Sequence, residues 1–150
     1  MKNMLICCMF TLIATAIFTG CSNEQAQPLD PAEWKENMRK SQQVEVKEWD
    51  DTMPTFTMTE DEEIQTFVDI LDVDTWEPAQ VPDKAEKEKQ FILYQEPTRR
   101  LGEAKANQSE LQAIASIVTY RDAPYIELQI SDWTTGFTVS ESAAESLNGF

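Results

Sequence analysis

Thr59-Glu60-Asp61-Glu62-Glu63-Ile64-Gln65-Thr66-Phe67-Val68-Asp69-Ile70-Leu71 is the stretch on which the fold turns. Thr59 and Glu62 have the spacing of a capping box, and Glu60, Asp61, Glu62 and Glu63 place four acids in a first helical turn. Those charges suit the positive end of a helix dipole. Ile64, Phe67, Val68 and Leu71 then recur at i, i+3, i+4 and i+7, so the spacing predicts a helix with one apolar stripe. A helix with a single apolar stripe needs one layer of other structure to bury it against.

The neighbouring segments supply strands for that layer. On the N-terminal side, residues 44–49 (Val-Glu-Val-Lys-Glu-Trp) alternate apolar and polar, and Asp50, Asp51 and Pro54 end the run. On the C-terminal side, residues 81–88 read as a charged loop bounded by Pro78 and Pro82, and Phe91-Ile92-Leu93-Tyr94 is an apolar run of strand length. Residues 114–120 are β-branched and aromatic towards their end, residues 121–124 carry turn chemistry, and residues 125–130 alternate again. This pair predicts a hairpin. Residues 132–136 read as a turn into a short strand, Phe137-Thr138-Val139. Ser140 and Glu141 start a last helix holding Ala143, Ala144 and Leu147, with Gly149 as its stop. The order β–α–β–β–β–β–α, with strands close in sequence, gives an α+β class. It predicts a small antiparallel sheet with two helices packed on one face and a tether before it. No internal repeat is present.

The tether is read from the N-terminus. Lys2, an apolar run over residues 4–18 and Thr19-Gly20-Cys21 have the form of an export signal. A cysteine directly after the cut resembles the lipobox of bacterial lipoproteins, in which the thiol receives a diacylglyceryl group; Phe18 departs from the usual Leu. Two other readings compete. An uncleaved anchor over residues 4–19 falls just short of the roughly 17–25 residues that span a bilayer. Cleavage after Ala14-Thr15-Ala16 would leave Cys21 as an unpaired thiol. The lipid reading divides the chain into a signal peptide at 1–20, a lipid-anchored polar tether with a short helix at 21–43, and one domain at 44–150. It places the protein on the extracytoplasmic face of the cell membrane. The short helix starts at Asp30-Pro31-Ala32-Glu33, with Trp34 and Met38 on one face and Glu36 and Lys40 as an i,i+4 pair. So small an apolar face holds no helix alone in water, so it docks on the domain or lies at the bilayer.

Cysteine and charge bound the rest. Cys7 and Cys8 leave with the signal, so the mature chain has no intramolecular disulfide and depends on its hydrophobic core. The formal net charge is −15, which opposes nucleic acid and anionic lipid surfaces as partners. Between residues 22 and 77 there are 16 acidic and 4 basic residues, so a basic partner would be steered towards that half. A solubilising surface accounts for the same charge.

The signal with Cys21, the capped helix after a first strand, the hairpin, and Phe137-Thr138-Val139-Ser140-Glu141 followed by Ala144 and Leu147 resemble small Gram-positive envelope lipoproteins with a YhfM-like domain. The resemblance covers roughly residues 44–149. It implies a fold and a location, and a role such as blocking or modulating a partner protein at the cell surface.

Chemistry is bounded mainly by what is missing. The chain has no His, and Cys21 is taken by lipid, which excludes Ser-His-Asp and Cys-His catalysis and His or Cys metal ligation. No Ser-x-x-Lys pattern and no glycine-rich phosphate loop occur. Asp72-x-Asp74-x-Trp76-Glu77 opens like a calcium loop, but Trp76 replaces an oxygen ligand and Glu77 stands where the turn glycine belongs. No cofactor or metal is expected. Three residues are candidates for contacting an envelope protein partner: Trp133, a large apolar ring in an otherwise polar turn, and Arg99 with Arg100, which together suit an anion. Against these stand a ring folded back over the sheet and arginines paired with the chain's own acids. Trp49 and Trp76 sit beside apolar element ends and read as core or core edge. The expected function is that of a non-enzymatic binding or modulating module; the alternative is a small carboxylate-dependent envelope hydrolase.

Overall fold

The computed structural model describes residues 31–97 and 110–150; Cys21, Arg99 and Arg100 lie outside them. Seven strands form one sheet: β1 (Gln43–Glu48), β2 (Phe56–Met58), β3 (Glu77–Pro78), β4 (Lys87–Gln95), β5 (Gln112–Tyr120), β6 (Ala123–Ile130) and β7 (Trp133–Thr138). Their order is β2-β1-β4-β5-β6-β7-β3, and every neighbouring pair is antiparallel. Three helices accompany the sheet: α1 (Pro31–Arg39), α2 (Asp61–Leu71) and α3 (Glu141–Asn148). The protein is therefore an α+β fold, with the hairpin β5–β6 closed by Arg121 and Asp122, the latter at φ 50°.

Alternation assigns one face of the sheet to the core. The register pairs Val44 with Leu93, Val46 with Phe91, Phe91 with Ile117 and Ile117 with Leu128, so these side chains share a face. They join Ile64, Phe67, Val68 and Leu71 of α2 and Ala143, Ala144 and Leu147 of α3 in a single buried cluster. Phe67 lies stacked on Phe91 with ring centroids 5.2 Å apart. The stripe read from residues 64–71 is thus the helix's buried face. The cap of α3 also forms as its sequence implies, since the Ser140 hydroxyl accepts from the Ala143 amide at 3.2 Å.

Four readings need correction. The first concerns the capping box at Thr59 and Glu62, which is not formed. β2 ends at Met58, α2 starts at Asp61, and Glu60, in an extended conformation, occupies the N-cap with no side-chain cap bond. Second, residues 133–136 are strand and not turn. Ser131 at φ 52° and Asp132 complete a two-residue connection, Ile130 pairs with Trp133, and β7 runs from Trp133. Gly136 sits inside that strand because the chain after β3 crosses it closely. A Cβ there would stand 2.6 Å from the Ala79 carbonyl oxygen and 2.9 Å from Val81 Cγ2. Third, the charged stretch 81–88 gives way to strand at Lys87. Fourth, a third helix joins the fold.

That helix is α1, from the segment read as tether, and of its two open placements it takes the docked one. Trp34 and Met38 are buried in the common cluster. Trp34 meets Trp76, Trp133 and Phe137 edge to face at 6.3, 5.7 and 6.1 Å. Lys35 pairs with Asp74 at 2.9 Å, and Arg39 pairs with Asp69 of α2. The folded unit accordingly takes in residues ahead of Val44.

Candidate functional site

The helices stop short of the β2 edge of the sheet and leave a groove of about 790 Å³ between that strand, the start of α2 and Phe150. Its floor is apolar. Phe56 and Met58 share the core face with Val46 and Val44, their register partners, but Phe56 lies beyond the helices and stays 43% exposed. Phe67 closes the inner wall, and Phe150 leans on Phe67 and Phe91 at 6.0 and 5.8 Å while remaining 36% exposed. The rim is the first turn of α2 with its lead-in: Glu60, Asp61, Glu62 and Glu63.

The charge around the rim is unbalanced. Lys35, Arg39, Lys40, Lys87, Lys89 and Arg121 each pair with a carboxylate elsewhere in the fold. Among the described residues no base forms an ion pair with the four rim acids. The groove therefore joins apolar surface to concentrated negative charge, a combination suited to a cationic, partly apolar ligand.

The sheet face away from the helices is a second region of polar organisation. Glu127 lies centrally in it, accepting from Gln129 Nε2 at 2.8 Å, Lys87 Nζ at 3.3 Å and the Tyr120 hydroxyl at 3.2 Å. Burial alone would push the Glu127 carboxyl up, but the hydrogen bonds from Gln129 and Lys87, the lysine's charge and the Tyr120 hydroxyl outweigh it and hold it below the usual range. An acid held ionised in this way is poorly placed to protonate a leaving group. Tyr120 is pushed up to about 12 by burial and then by the facing Glu127 charge and hydrogen bond. Tyr94 is raised in the same manner, by burial and then by its hydrogen bond to Glu45 at 2.9 Å and that residue's charge. Trp49 is half-buried beneath Lys87, whose Nζ stands 4.1 Å from the ring centroid.

Of the three residues singled out from sequence, one, Trp133, is among the described residues. Trp133 is 45% exposed at the start of β7, with its ring edge-on to Trp34. It both packs on the domain and presents surface. Arg99 and Arg100 fall outside the described residues. Trp76 is at the core edge as read, its indole donating to the Leu71 carbonyl at 2.7 Å. In the calcium-like stretch, Asp72 is the left-handed C-cap of α2 and Asp74 is the partner of Lys35. Sequence reasoning missed the groove, although its rim was plain as four successive acids. The floor came from Phe56, in a strand too short to show alternation, and from Phe150.

No protein-family model matches the chain, and no curated protein sequence matches it. A solved structure, a thioesterase-like protein from Clostridium sporogenes, is similar at a TM-score of 0.41 and 11% identity over 73% of this chain and 92% of that one. A likeness of that size carries no inference about activity.

Proposed function

We propose that the protein is a lipid-anchored binding or modulating module on the extracytoplasmic face of a membrane, acting through protein contact rather than catalysis. The observation that carries the reading is the apolar groove whose acid rim forms no ion pair among the described residues; floor and rim together offer a recognition surface. Location is argued from the N-terminal sequence: the export signal and Cys21 supply an anchor, and two or more acyl chains hold a protein stably on a bilayer. The same chain offers no His and no free thiol for covalent chemistry once Cys21 is acylated. The resemblance to YhfM-like envelope lipoproteins points the same way.

The test has two parts. Cys21→Ala should abolish incorporation of a fatty-acid probe and release or misprocess the protein, and unchanged labelling would refute the anchor. Crosslinking in intact cells should capture an envelope protein, with yield lost in Phe56→Ser. Turnover of wall glycans or peptides by the purified protein, lost on replacing two acids, would refute the non-enzymatic reading.

A further inference from the structure

We infer that the groove takes an extended polypeptide segment with an apolar residue at every second position and basic residues flanking them, which adds to the sheet as a strand beside β2. This rests on the binding reading above and names the partner's chemistry and its mode of engagement.

The two edges of the sheet differ in how they meet solvent. At one edge β3 carries Glu77 and Pro78, and proline has no N–H to offer a further strand. At the other edge β2 reads Phe56-Thr57-Met58, with neither charge nor proline in the strand, and its outer side faces no strand among the described residues. An edge of this kind is a template for an incoming backbone.

Exposed apolar surface gathers at the same place. Of the four large hydrophobics exposed among the described residues, Phe56 and Phe150 line the groove and Met53 lies in the connection leading into β2. Successive side chains of an added strand would point alternately towards this floor and away from it.

Charge then selects among occupants. β2 of a second copy, Phe56-Thr57-Met58, brings no basic residue to the rim acids, so self-pairing leaves their charge unmatched. Glu60, Asp61, Glu62 and Glu63 continue directly from β2, so lysine or arginine on an added strand meets carboxylates that have no ion-pair partner among the described residues. A neutral apolar strand would satisfy the edge and the floor but leave that charge unmatched.

The test titrates the lipidated protein, in neutral detergent, with labelled octapeptides. One has valine and threonine alternating between lysine pairs at its two ends, a second has glutamate for lysine, and a third has proline at every second valine, which removes backbone donors. The lysine–valine peptide should bind and slow amide exchange at residues 56–58. The glutamate and proline forms should each bind at least about tenfold more weakly. Glu60→Gln with Glu62→Gln should weaken the first peptide by about tenfold and lower the thermal midpoint only slightly, through the lost helix-dipole charges. Equal binding of the proline form, or unchanged exchange at β2, would overturn strand addition. Dimerisation that protects β2 would assign the edge to a second copy and overturn the inference as well. If no peptide binds while cellular crosslinking captures a partner whose yield is lost in Phe56→Ser, the inference fails and the binding reading stands. If crosslinking captures nothing, that reading fails too.

Discussion

On the helix-covered face of the sheet, Val44, Phe91, Leu93, Ile117 and Leu128 are sealed from water by α1, α2 and α3. On the opposite face the same strands present Glu45, Gln90, Tyr94, Ser116, Glu127 and Gln129, linked to one another by side-chain hydrogen bonds. Yet Val118, which lies between Gln90 and Glu127 on that open face, is as buried as any core residue. Long polar side chains can cover an apolar neighbour with their stems and keep their heads in water. One face is closed by added layers and the other by its own side chains. Substitution should therefore cost most where helices must be held and less where neighbours can readjust.

Phe67→Ala tests the first half of that contrast. The side chain is fully buried and stacked on Phe91, and the loss should be roughly 3–5 kcal/mol. Chemical denaturation would measure it, and a midpoint close to the wild type would mean that the helix layer contributes little. Gly136→Ala comes next, because the new methyl meets the Ala79 carbonyl, which is backbone and has to move. A cost of about 1–3 kcal/mol is expected, read from the same unfolding curves.

The open face should respond to pH instead. Tyr120 has its folded value raised from 10.0 to about 12, so its contribution is fully present below pH 10 and is lost as pH rises towards 12. Glu127 is shifted the other way, so its contribution is present at neutral pH and is lost as pH falls below the ordinary carboxylate range. Tyr120→Phe should flatten the alkaline decline in melting temperature, and an unaltered decline would place its origin elsewhere. Trp133→Ala should be the mildest change. Its ring is nearly half exposed and makes one aromatic contact, so a loss of roughly 1 kcal/mol is expected. A loss as large as that at Phe67 would make the aromatic cluster part of the main core.

Legibility followed the length of the local pattern. The α2 stripe, the β5–β6 hairpin and the Ser140 cap were readable because each is encoded within a few residues. β2 and β3, three and two residues long, are too short for alternation to show. Gly136 was misread as a turn because its reason for being glycine is the passage of Ala79 and Val81, which are distant in sequence. The docking of α1 was undecidable for the same cause, since Trp34 finds its partners only in the tertiary fold. Of the site, the acids were visible and the groove beside them was not.

The position of Trp34 has a kinetic consequence. Strands β4 to β7 form a meander in which each pairs with the next in sequence, and the β5–β6 and β6–β7 connections are short loop closures. Trp34 must instead wait for Trp76, Trp133 and Phe137. A chain delivered N-terminus first, from a ribosome or through a translocon, presents α1 early and completes its contacts almost last. Substitution at Trp34 should accordingly quicken unfolding while leaving the refolding rate nearly unchanged in stopped-flow measurements. A helix that emerges early is the latch that closes the fold.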